Sequence, residues 1–349
     1  MKKLLIGTAL ASAMFVGAVA QAETKVSGYY EMNYRGISAS NAAGTANSPN
    51  NTIGTEMDIN LSSTNTLSNG MVMQIDIGTT SESGSAATDW GTDSYGLSLT
   101  SGNTSFELAV DRGNTADAVS DLVPNPVDQP GDNIVSGTAN GNASDRLFGS
   151  AQPNGTTDLQ KYAHLSVVQK IGSGVASVTY VPSTGNSEGL QSGNVNTGAA
   201  KSGYGAMYKG SVMPGLEVGF GYEKITGYEY QDAKAMTYGA SYTTGAISVG
   251  IQKATNDAGT AGTGETAKVD YDSLHYGISY AVNDALSVGV AIQKMESSNT
   301  TADEEYQQIE AQYSLGALGV GVSYTTVENI GGTTGLDDDQ LMIRLSSKL

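Results

Sequence analysis

The sequence predicts an all-β chain of sixteen antiparallel, up-and-down strands that close into a transmembrane β-barrel with a long inserted third loop. Three features support this fold class. Apolar residues alternate with small or polar ones, short turns alternate with long polar connections, and no apolar run after residue 22 is long enough for a helical span. Successive side chains of a strand point to opposite faces, so this alternation indicates one apolar and one polar face. Membrane-spanning barrels carry such segments, each about ten residues long.

The first 22 residues predict a secretory signal peptide. Two lysines, Lys2 and Lys3, precede a short apolar run over residues 4–19, and the run ends in Ala20-Gln21-Ala22. A basic head, an apolar body and an A-x-A exit are the parts of a cleavable signal. A membrane-anchor helix is the alternative, but the run is short for a span. We therefore expect residues 1–22 to be removed and residues 23–349 to form a single barrel domain.

The composition excludes several classes of protein. There is no cysteine, so disulfides and thiolate metal sites are absent. Without Lys2 and Lys3, 15 basic and 35 acidic residues remain, a formal charge of −20, which argues against a nucleic-acid partner. A disordered chain could share this charge and the 45 glycines, but it would lack the 19 tyrosines and the alternation.

The clearest alternation forms a hairpin over residues 235–251. Met236, Tyr238 and Ala240 share one face, small residues occupy the other, and the chain reverses at residues 243–245. Equivalent patterns recur along the chain. The other predicted strands lie at residues 25–35, 56–61, 71–78, 95–99, 105–111, 163–167, 176–180, 204–208, 216–222, 274–280, 286–292, 309–315, 318–324 and 341–346.

The connections between these strands come in two kinds. Short turns occupy residues 101–103, 172–174, 243–245, 283–284 and 316–317. Longer polar loops occupy residues 36–54, 79–92, 182–201, 255–267 and 328–337. Short turns at one end and long loops at the other describe a meander, and in outer-membrane barrels the short end faces the periplasm. An even number of strands closes the sheet and leaves no unpaired edge in lipid.

A soluble β-sandwich or β-helix would also show alternation. Two features favour the membrane barrel instead. The apolar face carries tyrosines toward the strand ends, as an interfacial girdle does, among them Tyr180, Tyr242 and Tyr280. The other face is rich in Gly, Ser, Thr, Gln and charge, which suits a wet lumen better than a packed core. We interpret the inward glycines as positions that leave room for water in the lumen. They are Gly219, Gly221, Gly239, Gly250, Gly277, Gly289, Gly319 and Gly321.

Three passages resemble the trimeric general porins of the Gram-negative outer membrane. They are the opening strand KVSGYYEMNYRG, the passage FELAVDRGNTADA after strand five, and the closing strand QLMIRLSSKL. The resemblance implies passive diffusion of small hydrophilic solutes and ions, a third external loop folded into the barrel, and a homotrimer. It also implies assembly by the barrel-assembly machinery in the outer membrane. That family usually ends in Phe, whereas this chain ends in Leu349.

The resemblance also directs attention to the charges on the lumen face of the first five strands. General porins carry basic residues on this wall and acidic residues on the inserted loop. This chain offers carboxylates on the wall itself, which would favour cations. We expect the pore-lining and constriction residues to be Glu31, Arg35, Glu56, Asp58, Asp76, Glu107, Asp111, Arg112, Asp117 and Asp121.

The longest connection covers residues 113–158 and is predicted to enter the barrel. A connection of this length in an ordered domain usually has a function. Residues 114–122 begin with a cap-type Asn114 and place Ala118, Val119 and Leu122 at helical spacing, so one or two helical turns are expected. The alternative is a flexible external loop.

By the same resemblance, the outward face of strands two to four is predicted to be the trimer contact. It carries few aromatic residues, and a face that meets protein needs fewer girdle residues than one that meets lipid. The loop over residues 79–92, with Trp90, would reach a neighbouring chain. The apolar residues of this face are Met57, Ile59, Leu61, Met71, Met73, Leu97 and Leu99.

Enzymatic and metal-binding interpretations are weaker. Residues 259–266 approximate a phosphate-binding loop, but Glu265 stands where the lysine is required. His164 and His275 have no accompanying nucleophile motif. We predict no cofactor, although Ca²⁺ at acidic loops such as residues 337–339 stays an alternative. A barrel that acts through its loops as an adhesin or receptor and a substrate-selective porin also stay open, but the glycine-lined lumen favours a diffusion pore.

Overall fold

The computed structural model describes most of the chain as one closed sheet. The described residues are 23–39, 52–83, 91–110, 119, 122–128, 130, 159, 162–182, 202–226, 230–231, 233–257, 260–261, 270–298 and 300–348. Eighteen strands and one short 3-10 helix, Ile330–Gly332, lie among them. Sixteen of these strands form the barrel, and the other two, β10 and β13, pair with each other.

The strands are bounded as follows. They are β1 Glu23–Ala39, β2 Thr52–Thr66, β3 Val72–Ser83, β4 Gly91–Ser101, β5 Thr104–Val110, β6 His164–Ile171, β7 Gly174–Val181, β8 Ser202–Met213, β9 Leu216–Thr226, β10 Tyr230–Gln231, β11 Ala233–Thr244, β12 Ile247–Asp257, β13 Thr260–Ala261, β14 Tyr271–Ala281, β15 Leu286–Ser297, β16 Glu304–Leu315, β17 Leu318–Glu328 and β18 Asp338–Lys348.

The barrel is an up-and-down meander. Each barrel strand pairs antiparallel with the next barrel strand along the chain, and β1 closes the sheet against β18, with Met32 opposite Leu345. Closure leaves no edge with unpaired backbone groups, which lipid does not tolerate. The predicted fold class is therefore confirmed, and each of the sixteen predicted strands has its counterpart in the barrel.

The two faces of the barrel wall differ as the alternation predicted. Large apolar side chains are exposed on the outside, while their neighbours in sequence are buried or half-buried on the inside. Tyr180, Tyr242, Tyr280 and Tyr324 are among the exposed side chains. Such a surface is stable in contact with lipid and costly in water.

Several strands are longer than the sequence indicated. β3 runs to Ser83 and β12 runs to Asp257, whereas the sequence placed loops from residues 79 and 255. Beyond the apolar band both faces of a strand can be polar, so backbone pairing continues while the alternation disappears. The small β10–β13 sheet was not predicted for the same reason.

The predicted short turns are confirmed at one end of the barrel. Gly102, Gly172, Gly245 and Gly316 adopt φ values of 59°, 61°, 58° and 67° in these turns. Glycine adopts this left-handed conformation without the steric cost that a Cβ imposes. Tight two-residue reversals are therefore possible at each of these positions.

Some predictions lie outside the described residues. They include the signal peptide (residues 1–22), Trp90, the phosphate-loop-like residues 262–266 and the terminal Leu349. Within the part of the chain that the structure describes, no helix is long and apolar enough to cross a membrane.

Candidate functional site

Part of the long connection between β5 and β6 lies inside the barrel. We call Val119 and residues 122–128 the inserted segment. Its atoms contact inward glycines from five strands: β9, β12, β14, β15 and β17. A Cβ added to Gly219 would lie 2.6 Å from Val119 Cγ1, and one added to Gly250 would lie 2.6 Å from the Leu122 carbonyl oxygen. The connection therefore enters the barrel, as the sequence predicted.

The glycine interpretation needs a correction. Five of the eight inward glycines face the inserted segment rather than water, because the segment lies too close for a side chain. We call these five residues the glycine trough. They are Gly219, Gly250, Gly277, Gly289 and Gly321. Their lack of a Cβ admits a stretch of backbone against the wall, so small inward residues did not by themselves indicate open space.

One end of the inserted segment is anchored by β16. The backbone N–H groups of Val127 and Asp128 both donate to Glu310 Oε2, at 2.8 and 3.0 Å. Gln308 Nε2 donates to the Asp128 carbonyl oxygen at 2.6 Å, and Thr325 Oγ1 donates to Gln308 Oε1 at 2.7 Å. A buried carboxylate that accepts backbone N–H groups makes stronger hydrogen bonds than a neutral acceptor. These contacts fix the segment backbone and not only its side chains.

Arg344 of β18 ties the same end to β1. Its Nη1 donates to the Val127 carbonyl oxygen at 2.8 Å, and its Nη2 pairs with Asp128 Oδ2. Its Nε lies 3.1 Å from Glu31 Oε1, and the Glu31 carboxylate also accepts hydrogen bonds from Tyr29 and Asn33. The Arg344 side chain is only 13% exposed. A guanidinium holding two carboxylates and a carbonyl fixes their relative positions.

Weaker contacts hold the rest of the inserted segment. The Leu122 N–H donates to Gln252 Oε1 at 3.1 Å. Val119 and Leu122 pack with inward-facing Met207 in a small apolar cluster. Farther along the same connection, the Leu159 N–H donates to Glu223 Oε2 at 3.2 Å. The segment thus lies along the wall from β8 to β18.

The opposite wall, β2–β5, presents carboxylates. Directly paired residues in an antiparallel sheet share a face. Glu56 is paired with inward Glu31, and Asp58 is paired with inward Tyr29. Asp76 and Glu107 lie on the same face of β3 and β5, and all four carboxylate residues are half-buried. The sequences of these strands contain no lysine or arginine. The inner face of β2–β5 is therefore acidic.

The predicted site residues separate into three groups. Glu56, Asp58, Asp76 and Glu107 lie together on the acidic inner face. Glu31 and Arg35 lie beside Arg344, where Glu31 is 5% exposed and Arg35 interacts electrostatically with Asp128. The remaining four lie outside the described residues. They are Asp111, Arg112, Asp117 and Asp121.

The sequence missed Arg344, Glu310 and Asp128. A signal existed for two of them, since parity places the charged side chains of Glu310 and Arg344 on the inward faces of β16 and β18. Charges there need partners inside the barrel. Nothing in the alternation pointed to Asp128, which lies in a stretch without strand pattern. The predicted helix at residues 114–122 lies mostly outside the described residues.

The external connection between β17 and β18 folds over the lumen. Ile330 and Leu336 pack on the inward side chains of Tyr271, Met295 and Tyr306. Asp337 Oδ1 accepts the Asn329 N–H at 3.0 Å, and Asp339 Oδ2 accepts the Tyr324 hydroxyl at 2.7 Å. Among the described residues, no three acidic or histidine side chains are arranged to hold a metal ion.

The two histidines are buried on the inner face. His164 Nδ1 lies 2.8 Å from the Tyr162 carbonyl oxygen, and nearby Ser166 forms a hydrogen bond with Thr179 rather than with a histidine. His275 is 2% exposed within the wall. The partner of His164 is thus a backbone carbonyl and not the serine or acid that a hydrolase requires.

Comparisons with known proteins identify the family. A family model described as Gram-negative porin matches residues 9–329. Three variants of a porin from Rhodopseudomonas blastica have the same fold at TM-scores of 0.62, 0.63 and 0.61, each 14% identical, covering 94% of this chain and 100% of the other. No curated protein sequence matches the chain. At this identity the structures show only the fold, and the family model shows the family. The chain therefore belongs to the Gram-negative porin family and forms a water-filled channel of the outer membrane.

Proposed function

We propose that the protein is a passive diffusion pore that prefers cations, and that it has no catalytic role. The permeation path runs between the inserted segment and the inner face of β2–β5. On the segment side most inward residues in the external halves of β12, β14, β15 and β16 are buried, whereas the carboxylates opposite are half-buried and reachable by water. Small hydrophilic solutes and ions would cross here.

The observation that carries the preference is the acidic composition of the inner face of β2–β5. Glu31 and Asp128 lie beside Arg344 and Arg35, so these four side chains balance one another in charge. Four carboxylates follow on β2, β3 and β5, and those strands supply no basic residue. Carboxylates along a narrow, low-dielectric passage lower the energy of cations and raise that of anions. Asp111, Asp117 and Asp121 would strengthen the effect, and Arg112 would weaken it.

The assembly proposal concerns three copies of the mature chain, residues 23–349. The outward face of β2–β4 carries apolar residues with few aromatics, as a protein contact in a membrane does. Export by the signal peptide and insertion by the barrel-assembly machinery would precede trimer formation. Mass measurement of the native protein in detergent tests this. A trimer is expected, and a mass that corresponds to the monomer alone would contradict it.

The function itself is tested by electrophysiology on the purified protein in a planar bilayer. In a KCl gradient, the sign of the reversal potential should indicate potassium preference. A potential of the opposite sign would overturn the proposal. Replacing Asp117 and Asp121 with asparagine extends the test to the rest of the long connection, where a smaller preference is expected.

A further inference from the structure

The glycines of the trough lie at one level along the height of the barrel wall. Gly250 and Gly277 are directly paired across β12 and β14. Two residues farther toward the external end, the same strands carry large inward side chains, Gln252 and His275, which are also paired with each other. The wall therefore leaves space for the inserted segment at the level of the glycines, and large side chains fill that space immediately toward the external end. The Gln252 side chain marks the upper rim, where it accepts the Leu122 N–H.

The segment fills the trough with backbone as well as side chains. A Cβ on Gly250 would meet the Leu122 carbonyl oxygen at 2.6 Å and Val123 Cα at 2.9 Å. A Cβ on Gly289 would meet Pro126 Cδ at 2.6 Å, and one on Gly321 would meet Val127 Cγ1 at 2.8 Å. Real Cβ atoms do not approach so closely. A side chain at Gly250 or Gly289 must therefore move the segment away from the wall, because it would meet backbone or a proline ring. One at Gly321 would press on Val127, whose β-branched side chain has few alternative rotamers.

From this geometry we infer that the glycine trough sets the width of the pore. The inference rests on the proposed path between the segment and β2–β5. Every displacement of the segment out of the trough is a displacement into that path, because the acidic wall lies opposite. Glu310 and Arg344 hold the segment backbone from both sides of Val127, so a small clash shifts the segment and does not release it. The five glycines are thus positioning residues for the constriction.

Gly321→Ala gives the sharpest test. The added methyl meets Val127 and the flexible Gln312 side chain, and no backbone atom is among its nearest contacts. We expect single-channel conductance to fall by about a quarter or more, since pore diameter limits the flow of ions. Liposome-swelling rates should fall more for a disaccharide than for a pentose, which a merely destabilised barrel would not produce.

Two further variants isolate the cause. Gly319→Ala is the matched control, because that glycine lies on the same face of β17 and its Cβ would meet only Gln312 and Ser346. Its conductance should equal that of the parent. Combining Gly321→Ala with Val127→Ala removes the clash with the inserted segment and leaves only the contact with the flexible Gln312 side chain, so the double variant should conduct like Val127→Ala alone.

Several results would overturn the inference. They are an unchanged or increased conductance in Gly321→Ala, an equal decrease in Gly319→Ala, or a double variant that stays as narrow as Gly321→Ala. If Gly321→Ala does not assemble, Gly289→Ala with and without Pro126→Ala gives the same comparison. The sign of the parent's reversal potential tests the proposed cation preference independently, because the trough is judged by conductance alone.

Discussion

The inner surface of the barrel has two walls that share one backbone pattern and differ in what they face. The wall from β9 to β18 is lined by the glycine trough and by buried glutamines, and the inserted segment covers it. The wall from β2 to β5 is lined by half-buried carboxylates. Large apolar side chains are exposed on the outer faces of both walls. The comparison indicates that the apolar surroundings of the membrane, lipid or a neighbouring chain, fix the outward residues of both walls, while contact with the inserted segment or with water selects the inward ones.

The largest expected effect comes from neutralising the acidic wall. Replacing Glu56 and Glu107 with glutamine and Asp58 and Asp76 with asparagine removes four charges without changing shape. We expect the potassium-to-chloride permeability ratio to fall at least about threefold, because the field that favours cations comes from these groups. Reversal potentials in a KCl gradient measure the ratio.

A matched control neutralises four carboxylates elsewhere. Asp272, Glu296, Glu305 and Glu328 lie on outward positions near the external ends of their strands. Their neutralisation should change the permeability ratio far less, since they lie outside the lumen. Equal effects of the two sets would mean that total charge, and not the acidic wall, determines selectivity.

The second-largest effect is expected at Arg344, which anchors the inserted segment on the wall from β9 to β18. Arg344→Ala removes the donor to the Val127 carbonyl oxygen and breaks the ion pairs with Glu31 and Asp128. Breaking one side of a buried ion pair costs roughly 3 kcal/mol or more. We expect a lower free energy of unfolding in urea and noisier open-channel current, because the segment end becomes mobile.

Arg344→Lys is the informative comparison for Arg344→Ala. Lysine keeps the charge but lacks the planar set of donors that contacts three groups together. It should restore most of the stability and only part of the current noise. Quiet current in Arg344→Ala would show that Glu310 alone holds the segment.

Salt provides a third, smaller effect on the acidic wall. The Debye length falls from about 10 Å at 0.1 M to about 3 Å at 1 M. At a fixed concentration ratio across the bilayer, the reversal potential should therefore shrink as the mean KCl concentration rises. A preference that does not change with salt would indicate selection by tight contact with individual ions instead of by the field of the wall.

The outer face explains why so much of the fold was predictable. In residues 236–242 lipid requires an apolar side chain at every second position, so the alternation can be read locally. Beyond the part of each strand that faces lipid, the predicted strand ends were wrong. The last residues of β12, Thr255 to Asp257, carry polar side chains on both faces and were assigned to a loop. Their strand is held by backbone pairing, which leaves no signature in the side chains.

The residues of the candidate site were predictable only on the wall formed by β2–β5. Glu56, Asp58, Asp76 and Glu107 were found because parity alone places them inside. The anchors were missed because their contacts join distant parts of the chain. Val127 is 183 positions from Glu310 and 217 from Arg344. No local pattern encodes such a pairing, and glycines that admit a segment look the same in sequence as glycines that admit water.

The smallest effect is expected for an ion pair on the outside of the barrel. Lys294 Nζ lies 2.6 Å from Glu305 Oε2, a shorter separation than the 3.1 Å between Arg344 and Glu31, but the Lys294 side chain is 46% exposed. Exposed pairs contribute about 0 to 1 kcal/mol, because water and salt compete for both charges. Lys294→Met should therefore change the free energy of unfolding in urea far less than Arg344→Ala, and it should leave the reversal potential unchanged. If the two variants were equally destabilised, burial would not be the reason that the Arg344 cluster holds the inserted segment, and the difference between the two walls would need another physical cause.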